Sequence, residues 1–161
     1  MRILMRRLMW ALAFAGLSLP AMAAGWQSGE VEDEGGPTMQ AWVETGSGEV
    51  PDDLRLMCAG EEGISVRFAF GSGLPEGTEL PADKPLPFDI YVDDAYIVVP
   101  MQLEEMDGAY AAYMPADAPL IRLLKSGKTV KFADATKLYH DVTFPLEGSG
   151  KAIAALLKSC N

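Results

Sequence analysis

The chain has 161 residues, with 23 acidic side chains against 13 lysines and arginines, and a formal net charge of −10 at pH 7. The length predicts a single domain. The negative charge disfavours binding to nucleic acid or to an anionic membrane, because both are polyanions. It suits either simple solubility or a basic protein partner.

The first 23 residues have the features of a secretory signal peptide. Arg2, Arg6 and Arg7 precede an apolar run at 8–17, and the segment ends in an A-x-A pattern at Ala23, which is typical of a cleavage site. The apolar run is too short to span a membrane. We therefore expect a Sec-type leader cleaved near Ala23, a periplasmic or secreted product, and no membrane association after cleavage.

The chain contains two cysteines, Cys58 and Cys160. An even pair of cysteines in a small exported domain is rarely left reduced, so we expect a disulfide between them. Its role is expected to be structural, because the sequence has neither a C-x-x-C motif nor the βαβ context of a redox site.

The segment 24–37 is rich in glycine and acidic residues. It is expected to be a flexible acidic lead-in with Trp26 packed onto the body of the domain. A single β-rich domain is predicted over 38–161, interrupted by a loop at 71–87 that contains three glycines and four prolines. Strands are predicted at 39–45, 54–58, 64–70, 88–92, 95–99, 109–114, 129–135 and 138–145, and the alternation of apolar and polar residues is clearest at 64–70.

Two helices are predicted near the C-terminus. The first begins at Asp117 and ends at Gly127. The second covers 151–160, with Ser149 as its N-cap, and its apolar face is formed by Ile153, Leu156, Leu157 and Cys160. The fold class is therefore α+β and mainly antiparallel: a β-sandwich or open barrel of seven or eight short strands, with the C-terminal helix linked to the sheet by the disulfide.

The order of these features resembles a group of exported bacterial proteins. The features are the strand 54–58 ending in Cys58, a helix followed by Gly127-Lys128, the sequence Phe144-Pro145-Leu146-Glu147-Gly148, and the terminal Cys160. They are similar to those of the invasion-associated locus B family and of the VasI-type accessory proteins of type VI secretion. The resemblance covers 54–160 and implies a secreted, non-catalytic envelope protein. It transfers no functional residue, because the matched positions are core and cap positions.

No catalytic or metal site is predicted. His140 is the single histidine, and in a strand its neighbour Asp141 would point to the opposite face. Asp93-Asp94 is expected to be a solvated turn, and one histidine with two distant cysteines cannot form a zinc site. Copper binding through Met101, Met106 and Met114 is disfavoured, because thioether ligands usually occur close together and with histidine. No cofactor is expected.

A protein-binding role is the leading hypothesis. Tyr91, Tyr96, Tyr110 and Tyr113 lie on consecutive predicted strands and form either an exposed recognition surface or a rim around the core with wet hydroxyl groups. The expected partner is another envelope or secreted protein, with a basic protein as one option. The alternatives are an immunity or inhibitor protein against a basic toxin or hydrolase, and a hydrolase of unknown substrate. The sequence does not define the oligomeric state.

Overall fold

The computed structural model describes residues 25–33, 35–73 and 84–160. These residues form nine strands, two α-helices and a short 3-10 helix at Gly60–Glu62. The strands are β1 (Gln27–Asp33), β2 (Gly36–Thr45), β3 (Asp52–Cys58), β4 (Ile64–Ala69), β5 (Leu86–Val92), β6 (Ala95–Glu104), β7 (Ala109–Met114), β8 (Thr129–Asp134) and β9 (Val142–Pro145), and the helices are α1 (Pro119–Ser126) and α2 (Ser149–Ser159). The predicted signal peptide and most of the predicted loop at 71–87 lie outside the described residues.

The strands form one unclosed antiparallel sheet in the order β1-β2-β3-β4-β7-β6-β5-β8-β9. The long strand β6 joins the two halves of the sheet, since residues 95–101 pair with β5 and residues 102–104 pair with β7. The fold class is therefore confirmed as α+β and mainly antiparallel. The sheet has nine strands, not seven or eight, and is a single open sheet.

The core lies between the two halves of the curved sheet. Inward-facing residues alternate with outward-facing ones along each strand, and the inner faces of β4, β5, β8 and β9 each contribute a fully buried phenylalanine. The ring of Phe68 lies 4.8 Å from that of Phe132, and 5.8 Å from those of both Phe88 and Phe144. The sheet therefore folds back far enough for β4 to pack against β5, β8 and β9.

Helix α2 covers the inner face of β1, β2 and β3 and also contacts α1. Its buried side chains include Ala152, Ile153 and Leu156. Cys160, at the C-cap of α2, is disulfide-bonded to Cys58 at the end of β3, with their Cα atoms 5.3 Å apart. The predicted disulfide between the closing helix and the sheet is confirmed. No helix within the described ranges has the length and hydropathy needed to cross a membrane.

The prediction of a flexible lead-in at 24–37 is wrong for most of that segment, because residues 27–33 form β1 and pair with β2. Trp26 fixes the start of β1. Its side chain is only 8% exposed. The indole Nε1 donates to the carbonyl oxygen of Pro145 at 2.9 Å, and the backbone N–H of Trp26 donates to the carbonyl oxygen of Glu147. These bonds, together with the β2 ladder, order an acidic segment whose composition alone suggests disorder.

The predicted N-cap of α2 is also wrong. Gly148 occupies that position in a left-handed conformation, with φ of 84°, which glycine adopts at little cost. Ser149 lies inside the helix and is buried, with its Oγ 2.7 Å from the carbonyl oxygens of Leu124 and Leu146. Its hydroxyl therefore links α2 to α1 and to the end of β9, and does not accept from the first-turn amides.

The turn between β5 and β6 has a structural role that its composition does not reveal. The Asp93 carboxylate accepts hydrogen bonds from the backbone N–H groups of Lys128 and Thr129, at the junction of α1 and β8. These bonds, that of Lys128 first, lower the pKa of Asp93 below its ordinary value of 3.8. Asp93 is therefore an anchor for the α1–β8 connection and not only a solvated turn residue.

Replacing Asp93 with asparagine should destabilise the protein in a pH-dependent way. A carboxylate with a lowered folded-state pKa stabilises the fold above pH 3.8, and this contribution is lost as the pH falls through the lower folded-state value. Asp93→Asn should therefore lower the melting temperature at pH 7, and the gap from the wild type should narrow below pH 3.8. The control is Asp94→Asn in the same turn, which should leave the melting temperature nearly unchanged. Equal losses in both variants would contradict the anchoring role.

Breaking the disulfide should destabilise the domain strongly. The bond closes a loop between residues 102 positions apart, for which the chain-entropy model gives about 4.7 kcal/mol in the free energy of unfolding. The double variant Cys58→Ala/Cys160→Ala should match the reduced wild-type protein in urea denaturation, and both should unfold at a lower midpoint than the oxidised protein. An unchanged midpoint would show that the helix stays in place without the bond.

Candidate binding surfaces

The outer face of β5, β6 and β8, which points away from the core, carries a group of side chains that we name the tyrosine strip: the exposed Tyr91, Tyr96 and Val98 and the half-buried Lys131. Tyr91 and Tyr96 are cross-strand partners with ring centroids 5.1 Å apart. Tyr96 is 57% exposed and Val98 is 48% exposed. Neighbouring exposed aromatic and apolar side chains of this kind are typical of protein-binding surfaces.

Two carboxylates hold the tyrosine strip in a defined geometry. The Tyr96 hydroxyl donates to Asp89 at 2.9 Å, and this bond raises the pKa of Tyr96, since it favours the neutral phenol. The Lys131 ammonium lies 4.5 Å from the centroid of the Tyr91 ring and donates to Asp141 at 3.3 Å. The rings are therefore positioned before any partner binds.

Tyr110 does not belong to an exposed surface, and this part of the predicted tyrosine surface is wrong. Side chains alternate along β7, so Tyr110 points into the core and is 3% exposed, whereas Tyr113 points outward and is 47% exposed. The hydroxyl groups of Tyr110 and Tyr139 are 3.0 Å apart. Burial is the main reason why the pKa of Tyr110 lies far above its ordinary value.

A second feature of the outer face lies over β3, β4 and β7, and we name it the Ser65 slot after the residue at its floor. Ser65 lies between its cross-strand partners, Met57 on β3 and Tyr113 on β7. Arg67 and Met106 complete the walls of the slot, which is part of an open groove of about 620 Å³.

Hydrogen bonds fix the walls of the Ser65 slot. Glu104 pairs with the guanidinium of Arg67 and also accepts a hydrogen bond of 2.5 Å from the hydroxyl of Tyr113. Arg67 additionally donates to Asp107 at 2.7 Å. Ionic hydrogen bonds of this kind are stronger and more directional than neutral ones, so the phenol ring and the guanidinium have fixed positions.

The floor of the slot is a polar group without a partner. Ser65 is only 4% exposed, and its Oγ has no hydrogen-bond partner among the described residues. A buried hydroxyl that makes no hydrogen bond costs about 1–3 kcal/mol. Alternation predicts that Ser65 faces outward, but no signal in the sequence predicts that side chains from three strands would enclose it.

The groove of the Ser65 slot adjoins a second groove of about 410 Å³, and the two share Met57, Arg67 and Asp107. Arg55 is the cross-strand partner of Arg67 and lines the second groove. Its guanidinium donates to both carboxylate oxygens of Asp53, at 3.2 and 3.1 Å. Together the two grooves form a continuous depression across the outer face of this half of the sheet.

His140 is not one of the residues that define either surface, and its side chain is 56% exposed. Its Nε2 is 3.6 Å from the Asp52 carboxylate, and its ring packs edge-on against Phe70 at 5.8 Å. Within the described part of the chain, no hydroxyl or thiol group is hydrogen-bonded to His140. The structure thus places a histidine beside a carboxylate without a nucleophile, and the absence of catalysis stays a prediction.

The residues considered for metal binding do not converge. The described ranges contain no group of three or more histidine, cysteine, aspartate or glutamate side chains arranged to hold a metal ion. Met101 is fully buried in the core, whereas Met106 is 94% exposed beyond the end of β6. These two methionines therefore do not face a common site.

No protein-family model matches this chain, and no curated protein matches it. Among solved structures, the chain is similar to invasion associated protein B from Bartonella henselae, with a TM-score of 0.58 and 16% sequence identity. The likeness covers 88% of this chain and 96% of that protein. At this identity the likeness shows a shared fold alone, and the resemblance to the locus B proteins stays a prediction. The resemblance to VasI-type proteins stays a prediction.

Removing one tyrosine hydroxyl group should destabilise the protein at the buried Tyr110 but not at the exposed Tyr91. Tyr110→Phe leaves the hydroxyl of Tyr139 without its buried partner and should lower the free energy of unfolding by about 1–2 kcal/mol. Tyr91→Phe changes an exposed side chain and should alter it by less than about 0.5 kcal/mol. Urea denaturation of both variants measures this difference. Equal stabilities would contradict the assignment of Tyr110 to the core.

Proposed function

We propose that this chain is an exported, non-catalytic envelope protein that works by binding another protein through the tyrosine strip. The Cys58–Cys160 disulfide supports export, because such bonds form and persist in oxidising compartments such as the bacterial periplasm. The predicted leader, cleaved near Ala23, adds sequence support for the same destination.

The exposure and geometry of the tyrosine strip carry the binding part of the proposal. Tyr91, Tyr96 and Val98 are three of the exposed large apolar side chains of the described chain, and they lie on paired strands. Tyrosine supplies a large contact area at a low cost in side-chain entropy, and its hydroxyl tolerates water when the surface is free. The strip lies on rigid strands, so little ordering is needed on binding.

A role as a secretion-system accessory is the more specific form of this proposal. Its support is the fold shared with invasion associated protein B, together with the sequence resemblance to exported accessory proteins. The inhibitor hypothesis has different support, namely the net charge of −10, which would favour a basic toxin or hydrolase as the partner. Both hypotheses require a protein-binding surface, and they differ in the identity of the partner.

Site-specific photocrosslinking in the producing cell tests this function. A photoreactive amino acid at Val98 should give one discrete adduct with an envelope or secreted protein. The control places the same amino acid at Lys125, an exposed residue of α1, and should give no such adduct. Adding Tyr96→Ser to the variant with the photoreactive residue at position 98 should lower the adduct yield, because the substitution removes an exposed ring from the proposed contact. A melting curve of the double variant should show that it remains folded.

Three results would contradict the proposal. The first is the same set of adducts at Val98 and Lys125, which would indicate contacts without a defined surface. The second is the absence of any adduct at Val98. The third is an uncleaved leader in the mass of the purified protein or free thiol groups on Cys58 and Cys160, which would contradict export.

A further inference from the structure

We propose that the Ser65 slot binds a lysine or arginine side chain from a basic segment of a partner protein. The inference rests on the proposed protein-binding function, but it concerns a different surface from the tyrosine strip and specifies the chemistry of the partner. Three properties of the slot support it: the charge around it, the shape and composition of its walls, and the hydroxyl at its floor.

The charge around the slot favours a cation. Glu62 and Asp107 line the groove together with Arg67, and Glu104 lies beside Arg67. Three carboxylates and one guanidinium therefore lie at or beside the groove. Because Glu104 and Asp107 already pair with Arg67, an anionic ligand would have to displace a carboxylate to reach it.

Glu62 is the acidic residue best placed to receive a ligand's charge. It is exposed and has no ion-pair partner among the described residues. It lies at the end of the 3-10 helix Gly60–Glu62, on the same groove as Ser65. A cation that enters the slot would therefore gain a carboxylate partner without breaking an existing ion pair.

The walls of the slot match the long apolar stem of a basic side chain. The Tyr113 ring is 47% exposed and held by Glu104, and the thioethers of Met57 and Met106 line the same groove. Lysine and arginine bury their methylene groups against apolar surface while the charged head remains solvated or paired. An aromatic ring beside the head adds a cation–π attraction, and methionine adapts its shape to the stem.

The Ser65 hydroxyl at the floor needs a hydrogen-bond partner. An apolar ligand would leave this buried hydroxyl unpaired and would retain its energetic cost. An ammonium or guanidinium group carries several N–H donors. Once the adaptable methionine side chains of the wall move aside, it can donate to the buried Ser65 Oγ while it also pairs with a carboxylate. A basic side chain can therefore donate a hydrogen bond to Ser65, pack its stem against the walls and pair its charge with a carboxylate.

The adjoining groove favours a segment of a protein over a small cation. It is lined by Glu32, Glu44 and Asp53, with Arg55 beside Arg67. Glu32 and Glu44 are exposed and have no ion-pair partner within the described ranges. A chain with several basic residues could therefore occupy the slot and continue along the second groove, gaining a further charge pair at each acidic side chain.

Titration of the full disulfide-bonded chain, followed by nuclear magnetic resonance, tests this proposal. The probe is blocked hexalysine, and blocked hexaglutamate is the charge-reversed control. Hexalysine should shift the backbone amide signals of residues 57–67 and 104–113, whereas hexaglutamate should shift none of them. Ser65→Ala should raise the hexalysine Kd about fivefold, the effect of one lost hydrogen bond.

The chain provides a matched pair of charge variants. Glu62→Gln removes a carboxylate that lines the groove, and should raise the hexalysine Kd about fivefold or more. Glu61→Gln makes the same change one residue away, at an exposed side chain that does not line the groove, and should change the Kd by less than about twofold. Equal effects of the two variants, or signal shifts spread over the whole acidic surface, would show non-specific attraction and overturn the proposal.

Other outcomes would identify another occupant. Binding of hexaglutamate at the same residues would overturn the assignment of a basic ligand. Binding of spermine as tightly as hexalysine would show a site for a free polyamine and overturn the assignment of a protein segment. If the Val98 adduct forms while hexalysine fails to bind, only this inference fails. If hexalysine binds at the slot while Val98 gives no adduct, the tyrosine strip fails and the basic-segment site stands.

Discussion

The structure depends on one covalent constraint, the bond between α2 and the end of β3. An open sheet of nine strands has two edges, and α2 covers the inner face of β1–β3 at one end of the sheet. A helix of 11 residues is too short to be stable by its own propensity. Its position is therefore maintained by burial of Ala152, Ile153 and Leu156 and by the Cys58–Cys160 bond.

The N-terminal edge is fastened to the same region. Trp26 places its indole against the end of β9 and donates a hydrogen bond to Pro145, and its backbone N–H donates to the carbonyl oxygen of Glu147. As a result, the first strand, the last strand and the closing helix meet at one place. The sheet remains unclosed in its hydrogen bonding, but its two ends are connected through the core.

Sequence patterns predict the parts of this fold that depend on local rules. Alternation in β3 and β4, the glycine at the end of α1, and the pairing of two cysteines in an exported chain all follow from residue type and spacing. The role of Ser149 depends on a distant partner, the carbonyl oxygen of Leu124. The ordering of residues 27–33 likewise depends on pairing with β2 and on the contacts of Trp26. No local pattern contains that information.

The candidate surfaces differ in the same way. Exposure of Tyr91 and Tyr96 follows from their positions around a hairpin turn, but the burial of Tyr110 depends on which face of β7 meets the core. The Ser65 slot is harder to predict from the sequence, because it forms only when three strands pair in the observed register.

Register links the candidate slot to the covalent constraint. Ser65 is flanked by Met57 and Tyr113 because these residues pair directly across β3, β4 and β7. A slip of one residue would turn every side chain of a strand to the opposite face, and would bring Val66 to the outer face in place of Ser65. Cys58, next to Met57, pairs with Ile64 at the end of the same ladder. The disulfide therefore fixes the strand end that forms one wall of the slot, so the bond that stabilises the fold also positions the candidate binding site.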